Sequence, residues 1–379
     1  MLSKNLKTIS KLLIFLVLFA GNSFSDPARN FYSQQAMERF AQLPQNARTL
    51  GMSGSSIQTS ADSSSILGNP AGLGRMNLFE FSLSGGQEDR KGEEIFEGGR
   101  FEEFENKLQG YLAMPIGPES ALGTKWGTLA LGLSRYQGST SDSINSSPDG
   151  HLRSIAYGVA PLENFSLGYS LTFVEDQLHS NLADFHSTNR FMHLVGAQLV
   201  ANENLVFGAT VGWLIGQTDF EEFSVMSDGL SKARQQRVSI GAEYSIENTI
   251  VTASMNFDRY KSKGNVDPVS PLIIVGNREE GETLDGRIGL EQRALSWLSL
   301  RIGYRYTNVL EYEFKRTDLE ELSGKYDYSA YSGGIGFHYV KGDPKDRIDY
   351  FRVDYGGEYR DLTNGDYTQM LTLVIPFDI

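Results

Sequence analysis

The sequence predicts an all-β fold: a transmembrane antiparallel β-barrel of about 14 strands, with an N-terminal plug segment inside it. Three observations carry that prediction. From Met76 to the last residue, apolar side chains recur at every second position, which is the strand period and not the helical one. The alternating segments run to about ten residues or more, where globular strands average about 5–6. The connections between them alternate short and long, as tight turns and longer outer loops do in membrane barrels.

Composition agrees and removes competing classes. The 379 residues include 40 Gly, 22 Phe and 18 Tyr, but only 11 Pro and no Cys. Without cysteine there is no disulfide scaffold, zinc-thiolate site, iron–sulfur cluster or cysteine nucleophile. Lys and Arg number 34 against 47 Asp and Glu, a net charge of −13. That balance argues against a nucleic-acid partner, which needs clustered basic residues. A mean hydropathy of −0.30 and the lack of an apolar run near 18 residues exclude membrane helices. They do not exclude membrane strands, because polar lumen faces dilute the average.

In chain order, residues 1–25 read as a secretory signal peptide. Lys4, Lys7 and Lys11 are followed by the apolar run Leu12 to Ala20 and by small residues at Ser23 and Ser25, the three parts such a leader needs. Residues 26–75 come next, with a polar, partly helical stretch from Phe31 to Leu43 and a small-residue segment from Asn46 to Gly74. Residues 76–379 form the barrel, in segments near 76–86, 108–116, 126–136, 151–161, 163–175, 190–201, 204–217, 234–246, 248–260, 284–293, 296–307, 327–341, 346–357 and 367–378. One of them sets Phe207, Val211 and Ile215 against Gly208, Thr210 and Gly212. The last sets Leu371, Leu373, Ile375 and Phe377 on one face. Short connections include Leu162-Glu163, Ala201 to Glu203 and Glu247. Long ones include Asp176 to Asn189, Thr218 to Ala233, Lys261 to Thr283 and Asn308 to Tyr326. The acidic stretch Glu88 to Glu105 reads as a solvated outer loop.

If the apolar faces meet lipid, the opposite faces line the lumen. They carry Arg237, Glu243, Arg287, Glu291, Arg301, Arg305, Arg352 and Asp354. An Arg or Lys facing lipid at the midplane costs about 2–4 kcal/mol, so these charges are expected inside, paired between strands. Bracing of the wall is the preferred reading of this ladder and ligand contact the alternative. Fourteen strands would leave an open bore unless something fills it. Residues 26–75 are the candidate filler, with Gly and Ser for local turns and Leu50, Met52, Ile57, Ile66, Leu67 and Leu73 as buried apolar groups.

Within that segment stand Asn46-Ala47-Arg48-Thr49-Leu50-Gly51-Met52-Ser53-Gly54, then Ala61-Asp62, then Gly68-Asn69-Pro70-Ala71-Gly72-Leu73. The stretch resembles the N-terminal hatch of the FadL-type outer-membrane transport family and its PorV-like relatives. Ser53 stands where that pattern has the first glycine of a pair, and Ser63-Ser64-Ser65 where it has an acidic-small run. The resemblance implies a plugged barrel in the outer membrane of a diderm bacterium, inserted by the barrel-assembly machinery and surrounded by outer-membrane lipid. It would pass hydrophobic molecules such as long-chain fatty acids by diffusion. The hatch residues would be Gly51, Met52, Gly54, Asn69, Pro70, Ala71 and Gly72, and no cofactor is implied. In the family a strand deformation opens a side exit, for which Gly127 and Gly132 are candidates here. PorV-like members instead assist a secretion machine, so a non-transporting partner is the alternative function.

No enzyme is expected. His151, His179, His186, His193 and His338 lack metal-ligand spacing. No Ser, His and acid set stands out, and Gly333-Gly334-Ile335-Gly336 continues a strand instead of opening a helix as a phosphate loop would.

Overall fold

A computed structural model describes residues 46–377 apart from 94–99, 120–121, 141–146, 180–182, 223–227, 266–277, 316–321, 342–347 and 362–364. The expected leader and the partly helical stretch from Phe31 to Leu43 lie outside the described residues. Fourteen strands follow in order: β1 (Phe79–Glu93), β2 (Arg100–Pro115), β3 (Thr128–Thr140), β4 (Ser147–Leu162), β5 (Phe165–His179), β6 (Ala183–Asn202) and β7 (Leu205–Glu222) form one half. β8 (Asp228–Ile246), β9 (Thr249–Asn265), β10 (Arg278–Leu295), β11 (Leu298–Lys315), β12 (Leu322–Lys341), β13 (Ile348–Arg360) and β14 (Asp366–Phe377) form the other. Each pairs antiparallel with its neighbours in sequence, and β1 closes on β14 from Phe79–Phe377 to Asp89–Tyr367.

The alternation read from sequence sets the two faces. Leu131, Leu133, Ile155, Val211, Ile215, Val238, Ile240, Met255, Ile302 and Leu371 point outward and are exposed. Ser166, Ser170, Thr172, Thr210, Thr252 and Thr372 point inward and are buried. An exposed apolar band on a closed barrel with no sheet edge is the solution a bilayer demands of strands. Outward charges appear where the band ends, as pairs on adjacent strands: Arg135 with Asp149 at 3.2 Å, Arg153 with Glu175 at 3.3 Å and Arg259 with Glu282 at 3.1 Å.

Strands run further than the alternation indicated. β5 and β6 extend to His179 and from Ala183, taking in most of the expected loop from Asp176 to Asn189. The same holds for the expected loops from Thr218 to Ala233 and from Asn308 to Tyr326, and strands enter the one from Lys261 to Thr283 at both ends. Beyond the lipid both faces are polar, so the hydrophobic period fades while the backbone ladder continues. At the opposite end the turns are tight. Two residues join β4 to β5 (Glu163-Asn164), β6 to β7 (Glu203-Asn204) and β8 to β9 (Glu247-Asn248). The carbonyl of each of these Asn residues accepts from the next strand along, for example Val200 N to Asn164 O at 2.8 Å.

Residues 46–76 coil at the short-turn end of the barrel. Asn46 caps the single helical turn α1 (Ala47–Leu50), its side chain accepting from Thr49 N. Asp62 caps a 3-10 turn (Ser63–Leu67), and Asn69 caps another (Pro70–Arg75) that has Pro at its start. Short polar side chains that bond to nearby backbone suit such a segment. It touches every strand in turn. α1 meets β12, β13 and β14, Met52 meets β10 and β11, and Gln58 meets β7 and β8. Ser55 meets Thr252 on β9, the two 3-10 turns cover β4 to β6 and β1 to β3, and Ser63 bonds Ser82 on β1 at 2.8 Å. A segment in contact with all fourteen strands of a closed barrel lies within it.

Glycines make room for it. A Cβ on Gly208 would fall 1.9 Å from Gln58 O, and one on Gly168 would fall 2.2 Å from the Pro70 carbonyl carbon. Gly158, Gly196, Gly241, Gly289, Gly303 and Gly356 are met just as closely. Sequence alone sorted the glycines into lumen faces. What the structure adds is that they form a ring where the backbone and short side chains of the inner segment pack directly on the backbone of the wall.

Candidate functional site

The lumen has two unlike halves. Inward positions on β3 to β7 carry Tyr136, Leu152, Val174, Met192, Leu194 and Leu214, all buried. They form one apolar cluster with Tyr111, Ala113, Ala130 and Ala156 of the wall and Ile66, Leu67, Leu73 and Met76 of the inner segment. Large side chains here lie over glycines of the adjacent strand, Tyr136 over Gly150 and Leu194 over Gly212. That packing compensates for the missing side chain and flattens the surface.

The other half, from β8 round to β2, carries charge. Arg48 of the inner segment donates through Nε to Glu291 Oε2 at 2.8 Å, and Arg301 Nε reaches the same oxygen at 2.7 Å. Arg301 Nη1 donates to Asp354 Oδ1 at 2.7 Å and Arg352 Nε to Asp354 Oδ2 at 2.6 Å. The carboxylate of Glu291 holds the Arg48 guanidinium protonated well beyond its usual range. Further from the short turns, Arg287 binds Asp285 through two nitrogens at 2.6 and 3.0 Å. Arg305 binds Glu358 at 2.7 Å, Arg360 binds Glu88 at 2.9 Å, and Lys107 binds Glu88 and Glu105. Arg237 pairs with Asp258 at 2.8 Å, and Glu243 accepts from Thr59 at 3.0 Å.

All eight lumen charges read from sequence point inward, but they fall into separate groups. Glu291, Arg301, Arg352 and Asp354 share one network with Arg48. Arg287 and Arg305 border a cavity of about 20 Å³ between Thr49, Ser53, Gly54 and Glu358, room for about one water. Sequence reading missed Arg48, Glu358 and Arg360. The last two continue the inward parity of Arg352 and Asp354 beyond the expected end of that strand. Glu88 and Glu105, expected in a solvated loop, are each 1% exposed and face the lumen from β1 and β2. The correction has the same cause as the longer strands: the acidic run masks a continuing ladder.

The residues expected to form a hatch sit where the inner segment meets the wall. Asn69 is fully buried, and its Nδ2 donates to Gln58 O at 2.8 Å and to Ala197 O of β6 at 3.1 Å. Its Oδ1 accepts from Ala71 N at 3.2 Å. Gln198 beside it donates to Gln58 O and Ser60 O, both at 3.0 Å, and accepts from Arg75. Gly51 approaches Gly334, a Cβ on Gly54 would meet Arg287, and one on Gly72 would strike Ser60 O at 2.1 Å. Met52, Pro70 and Ala71 are buried against the glycine ring. Gly127 lies in the turn before β3, and Gly132 lies under Tyr111. β3 pairs with β2 and β4 without a register shift from Thr128 onward, so the described ladder has no break at Gly132.

A larger groove of about 740 Å³ runs past Ala197, Ala209, Ala242, Ala253 and Gly286 between Phe207, Ile240 and Met255. These residues face outward toward lipid, so the groove is no part of the lumen. Among the described residues no cluster of three or more His, Asp or Glu side chains could hold a metal ion.

No protein-family model and no curated protein matches the chain. Solved structures do match in fold. A Pseudomonas aeruginosa FadL homologue aligns at a TM-score of 0.58 and 12% identity, over 94% of this chain and 100% of that one. The P. putida toluene transporter TodX aligns at 0.53 and 12% identity, over 88% and 99%. The monoaromatic hydrocarbon channel CymD aligns at 0.53 and 12% identity, over 88% and 98%. At such identities the likeness is one of fold, and the chain is a closed fourteen-stranded antiparallel β-barrel with the fold of these FadL-type barrels.

Proposed function

We propose that the protein is a channel for passive uptake of hydrophobic small molecules across the outer membrane, with residues 26–75 as its plug and 76–379 as its barrel. The observation that carries this reading is the apolar cluster in which Tyr136, Leu152 and Leu214 of the wall pack together with Ile66 and Leu73 of the inner segment. A molecule entering between the outer loops exchanges water for apolar contact along β3 to β7, worth about 25 cal/mol per Å² buried. It stops where Ile66 and Leu73 close the bore. Passage then requires the plug to give way at its polar latches, Asn69 on Ala197 and Arg48 on Glu291. Long-chain fatty acids and monoaromatic hydrocarbons are both compatible with such a surface. No catalytic role is read in any residue.

The test is mass spectrometry of molecules retained by the purified barrel, together with uptake of oleate and toluene by cells with and without the gene. Retained apolar molecules and gene-dependent uptake support the reading. Empty protein and unchanged uptake of both compounds sink it. The tight fit of the inner segment on its glycine ring favours one second reading, a permanently closed PorV-like partner of a secretion or assembly machine. Recovery of a large secretion complex on the tagged barrel would support that instead.

A further inference from the structure

On the outer surface of the wall, the strands that carry the large groove also carry a run of positive charge. Arg234 on β8 and Arg259 on β9 are outward and exposed, and Arg234 stands opposite Lys261 in the strand register. The register then sets Lys232 against Lys263 at the next position of that face. Like charges directly opposite on adjacent strands repel. Yet in a chain of net charge −13, the alternate positions 232–238 and 257–263 hold no acid. Glu280 and Glu282 border the run on β10, where Arg259 reaches Glu282 at 3.1 Å with its side chain 45% exposed. A pair at such exposure is a weak tie. On the β7 side, Ile215 and Gln217 bring no charge. Such a face complements an anion.

Toward the short turns, the same two strands continue through the exposed Val238 and Phe257 to the groove between Ile240 and Met255. Ala197 opposite Ala209 and Ala242 opposite Ala253 hollow it out. Its volume of about 740 Å³ lies in the range that admits a whole small ligand, about 300–1,000 Å³. Arg234 stands six residues from Ile240, roughly 20 Å along the strand. At the usual strand tilt that is about 15 Å of depth, half the hydrocarbon core of a bilayer. A molecule with its charge at Arg234 therefore ends its hydrocarbon in the groove. A second copy of the chain is the wrong occupant, because two-fold symmetry brings like surface to like and would set these cations against themselves.

We propose that this face of the barrel binds one anionic lipid, its head on Arg234, Arg259 and Lys261 and one acyl chain laid in the groove. The inference depends on the barrel standing in a bilayer and not on passage through the lumen. The test titrates the full barrel in detergent with dimyristoylphosphatidylglycerol and with dimyristoylphosphatidylcholine, which share their chains. Bound lipid is counted by native mass spectrometry. Wild type is expected to bind the anionic lipid about tenfold or more tighter, the worth of a few cations beside a charged head. R234Q/K261Q is expected to lose that preference and keep its affinity for phosphatidylcholine. A242L/A253L fills the groove and is expected to weaken both lipids about tenfold while keeping the preference. All four substitutions lie on the outer surface and are expected to leave the fold intact, which the gel shift on heating verifies. Equal affinities in wild type, a preference that survives R234Q/K261Q, or undiminished binding to A242L/A253L overturns the proposal and leaves the channel reading standing. A wild-type barrel that migrates alike with and without heating overturns both.

Discussion

The inner faces of β3 to β7 and of β8 round to β2 use the same strand geometry for opposite ends. On the first, Leu152, Met192, Leu194 and Leu214 need no polar partner and pack in one apolar cluster. On the second, Arg301, Asp354, Arg305, Glu358, Arg360 and Glu88 are tied to one another. A side chain already engaged in a buried pair has little left to offer a ligand, and losing its partner costs several kcal/mol. On the channel reading, passage belongs to the first arc and bracing of the wall to the second. The Arg360–Glu88 pair even spans β14, linking β13 to β1 across the seam where the barrel closes.

The comparison breaks most severely at the glycine ring. Gly208→Val is expected to displace the inner segment or prevent folding, because the new Cβ falls on the Gln58 backbone. Gly286→Val, on the lipid face where a Cβ meets nothing within 4 Å, is expected to change stability by less than about 0.5 kcal/mol. Gel mobility on heating and conductance in planar bilayers would register the contrast. Arg301→Met comes next, with an expected loss of about 3–5 kcal/mol in urea unfolding, because Asp354 and Glu291 lose a buried partner. Asn69→Ala removes three hydrogen bonds and should cost about 1–3 kcal/mol. It should also raise the frequency of open-channel events.

Smaller effects sharpen the division between the arcs. Leu214→Gln puts an amide into the apolar arc and is expected to cut toluene or oleate uptake about tenfold in a folded barrel, at roughly the cost of one poorly paired buried amide. The like-sized change Thr368→Val on the charged arc should leave uptake within about twofold. Smallest of all is Arg135→Ala, whose side chain is 52% exposed in its pair with Asp149, expected within about 0.5 kcal/mol.

Much of this architecture was legible in the chain. Strand number, outward and inward faces and the inward position of Arg287, Arg301 and Asp354 all follow from period-2 alternation. The signal failed where its physical basis failed. Glu88 and Glu105 lie on strand extensions with polar residues on both faces, so hydrophobicity marks no period there, and their burial depends on Lys107 and Arg360. Arg48 was invisible for another reason. Its partner Glu291 is 243 residues away, and nothing local distinguishes it from an exposed basic residue. The split of the lumen into two arcs likewise appears only once β3 to β7 are neighbours in a closed ring.

The most direct measurement of that split is photolabelling of the purified barrel with a small apolar diazirine, followed by mapping of the modified residues by mass spectrometry. Among inward-facing residues, label is expected on Tyr136, Leu152, Met192 and Leu214, with competition by toluene or oleate, and not on Arg305, Glu358 or Arg360. Inward label concentrated on β10 to β14, or label on β3 to β7 that neither competitor reduces, would contradict passage along the apolar arc.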